Sequence, residues 1–142
     1  MRIAELMTRD PACCTPETPA RKAARAMAEK DCGCLPVVDE GHRVIGTVTD
    51  RDLACRCVAE GKDAETPVRD LMTANPSCCG ADDDVAVAEK IMKERQVRRV
   101  PVVDHAGCCI GIVAQADLAR HVKADIPERE LASVVQRISE PA

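Results

Sequence analysis

Two short segments of this chain place a carboxylate after an apolar, β-branched run, a pattern that could hold a sugar or a phosphate. The first segment, from Ile45 to Leu53, contains Thr49 and Asp52, and the second, from Ile110 to Leu118, contains Asp117. Each pattern predicts a strand that stops where a helix begins, so hydroxyl, carboxylate and free backbone N–H groups would meet at one point. These two points are the candidate binding sites of the chain.

The two segments belong to an internal duplication. Gly46 and Gly111 are 65 residues apart (111 − 46), and the same offset relates the other matching stretches without a gap. So strict a register predicts two copies of one structural unit. The other matching stretches are Leu-Met-Thr at 6–8 and 71–73, Cys-Cys at 13–14 and 78–79, and Pro-Val-Val-Asp at 36–39 and 101–104.

Within each copy, the apolar periodicity predicts the order β-α-β-β-α and therefore an α/β fold. One such unit is too small to bury both faces of its sheet. We therefore expect the two units to stack sheet to sheet about a pseudo-twofold axis, with two clefts between them. The expected first helices are 19–30 and 84–95, the expected strands after them are 35–38 and 100–103, and the expected second helices are 50–60 and 115–123.

These patterns divide the chain into a first repeat at 1–60, a linker at 61–67, a second repeat at 68–123 and a tail at 124–142. The tail is predicted to form a helix from Pro127 onward, with one apolar stripe. Such a stripe most often packs on its own domain, and a dimer contact is the alternative. The stripe consists of Leu131, Val134, Val135 and Ile138.

The composition excludes several classes of protein. The net charge of −4 argues against nucleic-acid binding through a general basic field. The chain has no apolar run of about 18 residues and no signal-like start, so we expect a soluble, cytoplasmic protein without membrane contact. Phe, Tyr and Trp are absent, so the core must consist of aliphatic residues, Met and Cys. No nucleophile–base set and no phosphate-binding glycine loop is present, so we expect no enzyme.

The ten cysteines are predicted to be reduced thiols. Zinc sites prefer about two to four residues between paired cysteines, and adjacent strand residues point to opposite faces. We therefore predict no metal site and interpret the cysteines as small buried hydrophobic residues, with a redox or metal sensor as the alternative. They occur as Cys13-Cys14, Cys32/Cys34, Cys55/Cys57, Cys78-Cys79 and Cys108-Cys109.

Taken together, the motifs resemble a CBS-domain pair, also called a Bateman module, over about residues 2–123. The motifs are Leu-Met-Thr-x-x-Pro at both starts, apolar-Pro-Val-Val-Asp at 35–39 and 100–104, and Gly-x-x-Thr-x-x-Asp at 46–52. The resemblance implies tandem CBS domains without catalysis, which bind adenosine nucleotides between the repeats and often dimerise. It implies no required cofactor, with AMP, ADP or ATP as the ligand.

The resemblance also implies site residues. The ribose-binding carboxylate falls on Asp52 and Asp117, and the family's hydroxyl residue falls on Thr49 but is Ala114 in the second copy. Each cleft would combine one repeat's Asp motif with the segment before proline of the other repeat. The first site would then contain Thr49, Arg51, Asp52, Ser77, Cys78, Arg98, Arg99, Val100 and Pro101. The second, weaker site would contain Ala12, Cys13, Gly33, Cys34, Leu35, Pro36, Ala114 and Asp117.

The chemistry of the side chains favours the first site. Guanidinium groups at Arg51, Arg98 and Arg99 suit phosphate, whereas the second site has little to hold a phosphate. The predicted function is a regulatory module that binds an adenine nucleotide, forms a homodimer and acts on a protein partner. Two alternatives stay open. The chain could be a ligand-free dimerisation or scaffold module, and Thr49 and Asp52 could simply cap a helix.

Overall fold

The structure, a computed structural model, describes residues 1–125, with side chains to residue 120. The predicted tail helix and its apolar stripe lie outside this range. The helices are α1 (Ala20–Lys30), α2 (Asp50–Asp52), α3 (Val85–Arg95) and α4 (Gln115–Asp125). The strands are β1 (Thr8–Arg9), β2 (Cys34–Val38), β3 (Val44–Thr49), β4 (Thr73–Ala74), β5 (Cys79–Gly80), β6 (Arg99–Val103) and β7 (Cys109–Ala114). Within the described range, no helix is long and apolar enough to cross a bilayer.

The predicted order of elements is confirmed in both copies, and most boundaries differ from the prediction by a residue or two. The second helix of the first copy is the exception. It was expected as one α-helix over 50–60, but α2 ends at Asp52 and continues as a π-helical stretch, Leu53–Val58. The wider turn is seen where Ala59 N–H donates to the carbonyl of Ala54 at 2.9 Å. It accompanies the burial of Cys57, which is 4% exposed.

Residues 11–76 and 106–109 form one compact unit, called here the Asp52 unit. Its sheet has the order β2-β3-β4, and both pairs of strands are antiparallel. The amphipathic helix α1 contributes Ala23 and Met27 to the core of this unit. The strands contribute the β-branched and aliphatic side chains of Leu35, Val37 and Val48, which are fully buried. The core of this unit is therefore built from small aliphatic side chains, whose burial supplies the hydrophobic stabilisation in the absence of aromatic residues.

Residues 1–10, 77–105 and 110–125 belong to the second compact unit, the Asp117 unit. Its sheet has the order β1-β7-β6-β5, with β1 antiparallel to β7 and β5 parallel to β6. Ile3 from the start of the chain is fully buried in this core, together with Met92 of α3 and Val113 of β7. The first residues of the chain therefore belong to the core of the unit that carries the second Asp motif.

The glycines of β3 and β7 have matching environments, which confirms the duplication. A Cβ atom on Gly46 would lie 2.7 Å from Met72 Sδ, and one on Gly111 would lie 2.7 Å from Met7 Sδ. Each methionine comes from the Leu-Met-Thr lead of the other sequence copy. Any side chain larger than hydrogen would displace this lead, so glycine at these positions serves packing.

Candidate functional site

The candidate site of the Asp52 unit is the corner where β3 ends and α2 begins. Thr49 is the N-cap residue of α2, and its hydroxyl oxygen accepts a hydrogen bond from Asp52 N–H at 3.1 Å. In return, Asp52 Oδ2 accepts a hydrogen bond from Thr49 N–H at 2.9 Å. This reciprocal pair is a capping box, so the structural role that the sequence left open is present.

The Asp117 unit has the same corner at the junction of β7 and α4, with one difference. Asp117 Oδ2 accepts a hydrogen bond from Ala114 N–H at 2.8 Å, which repeats the contact of Asp52. Ala114 has no hydroxyl, so the reciprocal bond cannot form. The side chains of Asp52 and Asp117 are 15% and 14% exposed. Both carboxylates are therefore held by the backbone and still reach solvent.

An arginine one turn along lies beside each carboxylate, but the two contacts differ in length. Arg56 Nε lies 3.8 Å from Asp52 Oδ1, and the Arg56 guanidinium also donates to the carbonyl of Leu71 at 3.1 Å. Arg120 Nη2 lies only 2.6 Å from Asp117 Oδ1 and donates a hydrogen bond to it. The outer oxygen of Asp52 is consequently less engaged than that of Asp117, and a ligand hydroxyl would meet less competition there.

The residue before each β2 or β6 strand contacts the corner of its own unit. Asp50 N–H donates to the carbonyl of Gly33 at 3.0 Å, and Cys34 is paired with Thr49 across the sheet. In the Asp117 unit, Gln115 N–H donates to the carbonyl of Arg98 at 2.7 Å. The structure thus brings Gly33 and Cys34 beside Thr49, and Arg98 beside the Asp117 corner.

The predicted site residues are divided between the two units. Thr49, Arg51 and Asp52 lie in the Asp52 unit, as do the residues predicted for the second site at 12–13 and 33–36. The Asp117 unit contains Ser77, Cys78, Arg98, Arg99, Val100, Pro101, Ala114 and Asp117. The combination of Arg98 and Arg99 with Asp52 therefore stays a prediction.

Burial separates the predicted residues into two groups. Leu35, Pro36, Val100 and Pro101 are fully buried and form part of the core. Arg51 and Arg98 are exposed, and Ala12, Cys13, Ser77, Cys78 and Arg99 are half-buried. Cys34, another predicted residue, is also buried, at 8% exposed. The exposed and half-buried residues offer side chains to a ligand, whereas the buried five hold the strands in place.

The cysteines follow a simple rule, in that the second member of each pair is buried. Cys14, Cys34, Cys57, Cys79 and Cys109 are buried, and their partners are half-buried or exposed. Desolvation raises the pKa of Cys14 to about 11, and desolvation with the nearby Asp83 charge raises the pKa of Cys79 to about 12. These two thiols stay protonated at neutral pH and behave as small apolar side chains, as the sequence predicted.

One cluster in the Asp52 unit was not predicted from the sequence, and it consists of Cys13, His42 and Cys109. The spacing within each cysteine pair gives no sign of it, because the cluster takes one member from each of two distant pairs. The internal repeat nevertheless contains a sign that Cys108 and Cys109 are unusual. The offset of 65 places Arg43 and Val44 opposite Cys108 and Cys109, so this cysteine pair departs from the duplication (108 − 43 and 109 − 44).

Comparison with known proteins gives a consistent family. A family model described as the CBS domain matches residues 3–57 and again residues 68–124. The chain is 35% identical over 117 residues to the CBS domain-containing protein YhcV of Bacillus subtilis, covering 82% of each chain. Proteins with paired CBS domains are generally regulatory and non-catalytic, and the matching family is not a catalytic one.

Two solved structures have the same fold. Hypoxic Response Protein I, solved with two coordinated zinc ions, is 32% identical with a TM-score of 0.78, over 85% of this chain and 98% of that one. The CBS domain protein PAE2072 from Pyrobaculum aerophilum, complexed with AMP, is 26% identical with a TM-score of 0.80. That match covers 94% of this chain and 99% of the other.

Proposed function

Because this chain belongs to the CBS-domain family and carries the domain twice, we propose that it is a regulatory module that binds an adenine nucleotide. The observation that carries the proposal is the Asp52 carboxylate, with Oδ2 held by Thr49 N–H and Oδ1 at 3.8 Å from Arg56. A carboxylate held in this way can accept hydrogen bonds from ribose hydroxyls without rearranging the backbone. The AMP complex of PAE2072 supports the class of ligand.

The other groups at the Asp52 corner suit the rest of a nucleotide. The Thr49 oxygen accepts from Asp52 N–H, and its own proton is available to a ligand oxygen. The exposed guanidinium of Arg51 lies in the same turn and matches the geometry of a phosphate. We assign AMP, ADP or ATP to this corner and propose that the side chains of Ser77, Cys78, Arg98 and Arg99 contribute to binding, with Val100 and Pro101 holding the strand behind them.

The proposed ligand has an unusual spectroscopic advantage in this chain. Phe, Tyr and Trp are absent, so adenine would be held by aliphatic side chains and backbone groups, and its absorption band has almost no protein background. Protein incubated with AMP, ADP or ATP and freed of excess ligand by rapid filtration should retain adenine absorbance. Its melting temperature should also rise, because a ligand that binds the folded state stabilises it.

The matched control is Glu29→Gln, which changes an exposed carboxylate on α1 outside every predicted site. It should retain nucleotide like the unchanged protein, whereas Asp52→Asn should not. Retention of none of the three nucleotides, together with unchanged melting temperatures, would contradict the proposal.

A second candidate function is a ligand-free scaffold that dimerises and binds a partner protein. It is favoured by the loss of the hydroxyl at Ala114 and by the short contact between Arg120 and Asp117, which occupies the outer carboxylate oxygen. A dimer in light scattering without any nucleotide-dependent thermal shift supports this function. Nucleotide binding that changes the melting temperature excludes the ligand-free form.

A further inference from the structure

A cluster of metal-ligating side chains lies outside the nucleotide corner but within the Asp52 unit. The thiols of Cys13 and Cys109 and the imidazole of His42 place their ligand atoms within 4.8 Å of one another. We propose that Cys13, His42 and Cys109 bind one divalent cation of the zinc class, with water as the fourth ligand. The proposal does not depend on nucleotide binding.

The spacing of the three groups is close to that of a bound metal. Zinc bonds of about 2.0–2.3 Å in a tetrahedron separate neighbouring ligand atoms by about 3.5–3.8 Å. The ligand atoms lie within 4.8 Å of one another, so each separation must shorten by about 1.3 Å at most to reach these distances. His42 is exposed and Cys13 is half-buried, so both side chains have room to move, while the buried Cys109 provides a fixed anchor.

The local backbone structure buries the Cys14 side chain in the core and leaves the adjacent Cys13 side chain half-buried. Cys14 is tied to the sheet, with its N–H donating to the carbonyl of Pro36 at 3.0 Å and its carbonyl accepting from Val38 N–H at 2.8 Å. Its side chain is buried in the core of the Asp52 unit. The adjacent Cys13 is half-buried and near His42 and Cys109 instead. The Cys13 thiol donates a hydrogen bond to the carbonyl of Pro11 at 3.3 Å, and metal binding would replace this contact.

His42 is held beside Cys109 by its own turn. Cys109 N–H donates to the carbonyl of His42 at 2.9 Å, so the two backbones are joined directly. Asp39 Oδ1 accepts hydrogen bonds from the N–H groups of Gly41 and Arg43, both at 2.9 Å. This turn places His42 at a φ of 65°, in the left-handed region that few residues other than glycine adopt. The turn therefore fixes the backbone of His42 beside Cys109, while the exposed side chain can still rotate.

The ligand chemistry selects a soft or borderline cation. Two thiolates and an imidazole suit zinc and disfavour magnesium or calcium, which require oxygen ligands. Without metal, the hydrogen-bonding contact with the Cys109 side chain and desolvation raise the pKa of Cys13, so this group keeps its proton at neutral pH. An ordinary cysteine thiol, with a pKa of about 8.5, is protonated there as well. Binding must replace each S–H bond by a metal–sulfur bond, and it releases about two protons per cation without any oxidant.

The second sequence copy does not repeat the cluster. The offset of 65 relates Cys13 to Cys78, His42 to Gly107, and Cys109 to Val44. Glycine and valine offer no side-chain ligand for a metal. The proposal therefore specifies one cation per chain at this position.

The test uses the full chain, reduced, stripped of metal and free of nucleotide. Zinc affinity is measured by competition with a chromophoric chelator, and cobalt is used as a spectroscopic substitute. Since the chain has no aromatic residue, thiolate-to-cobalt charge-transfer bands are observed without protein background. We expect one cation per chain, tetrahedral cobalt bands and the release of about two protons.

Variants then assign the ligands. His42→Ala and Cys13→Ser should each weaken zinc binding about a hundredfold or more, because loss even of an outer-shell partner costs about 10–100-fold. Cys55→Ser, which changes an exposed cysteine outside the cluster, should bind zinc like the unchanged protein. Cys109 is 5% exposed, so its replacement also disturbs the core, and the assignment relies on the two more exposed ligands.

Three results would overturn the proposal. One is unchanged zinc affinity in His42→Ala, and another is a cobalt spectrum without thiolate bands. The third is reduced protein that takes up no metal but forms a Cys13–Cys109 disulfide when the reductant is removed. That last outcome would assign the pair a redox role. Nucleotide retention measured on the same preparation is independent of all three results.

Discussion

The Asp52 and Asp117 corners share one backbone contact but differ in the groups that surround the carboxylate. Both carboxylates accept a hydrogen bond from the N–H three residues earlier, at 2.9 Å and 2.8 Å. At Asp52 the hydroxyl of Thr49 completes a capping box, and Arg56 stays at 3.8 Å. At Asp117 the hydroxyl is missing, and Arg120 engages the outer oxygen at 2.6 Å.

At each corner, helix capping occupies only one oxygen of the carboxylate, so it is compatible with the proposed ligand contact at the other oxygen. The cap uses Oδ2 of each aspartate, and Oδ1 is the oxygen that a ribose hydroxyl can use. What distinguishes the two corners is therefore the competition for Oδ1 and the presence of a hydroxyl neighbour. Both properties depend on single side chains, so the comparison can be broken by single substitutions.

The largest effect is expected from removing the charge at each corner. Asp52→Asn should weaken AMP or ATP binding by about 1.5–3 kcal/mol, the usual contribution of a hydrogen bond to a charged group. Asp117→Asn should weaken it less, because Asp117 is already engaged by Arg120. Calorimetric titration of both variants measures the order. A larger loss at Asp117 would reverse our ranking of the corners.

The second-largest effect is expected at the arginines that are predicted to bind the phosphate of a nucleotide whose ribose is bound by Asp52. A double-mutant cycle combines Arg99→Ala with Asp52→Asn and, in parallel, with Asp117→Asn, with ATP affinity as the readout. We expect a coupling energy of about 0.5–3 kcal/mol with Asp52 and near-additive losses with Asp117. Coupling to Asp117 instead would assign the arginine to the corner of its own unit, where the carbonyl of Arg98 already accepts from Gln115 N–H.

A smaller effect is expected when the hydroxyl is exchanged between the corners. Thr49→Ala should lower the free energy of unfolding by about 1 kcal/mol, because the helix loses its N-cap oxygen. Ala114→Thr supplies that oxygen at the other corner and should raise the free energy of unfolding by a similar or smaller amount. Urea unfolding checks both changes. A Thr49→Ala protein as stable as the original would show that the capping box contributes nothing.

The smallest effect is expected from removing the charge of Asp39, and it sets the pH range in which the nucleotide affinities of the two corners can be compared. Backbone N–H donation from Arg43, with its guanidinium charge and Gly41 N–H, lowers the pKa of Asp39 below its ordinary value of 3.8. A carboxyl group whose pKa is lower in the folded state than in the unfolded state stabilises the fold when the pH is above the unfolded-state pKa. This stabilisation is lost as the pH falls through the folded-state pKa. Asp39→Asn should therefore slightly lower the melting temperature at neutral pH.

The same substitution should have less effect at acid pH, since the stabilisation by the Asp39 carboxylate is lost as the pH falls through the lowered pKa of the folded state. Thermal unfolding at the two pH values measures the difference. An equal loss at both would mean that the charge of Asp39 does not stabilise the turn. Nucleotide affinities of the corner variants are best compared at neutral pH, where this contribution is constant.

Several features of the site could be predicted because they depend on neighbouring residues in the sequence. The strand-to-helix corner at 49–52 follows from β-branched residues that end at a good N-cap, and the structure has the capping box there. The equivalence of Gly46 and Gly111 follows from the offset of 65, and their environments match. The π-helical turn at 53–58 was not predicted, because helical periodicity does not distinguish an α-turn from the slightly wider turn that buries Cys57.

The duplication, the order of strands and helices, the aliphatic core and the position of both carboxylates could be predicted from the order of the residues. The partner of each lead segment could not, and the folded structure shows that Met7 packs on Gly111 and Met72 on Gly46. It also decided that Cys13, His42 and Cys109 meet. The physical reason is that periodicity and capping act over a few residues, whereas these contacts join residues many positions apart. Contacts of this kind depend on which distant segments the folded chain brings together as it buries its apolar side chains.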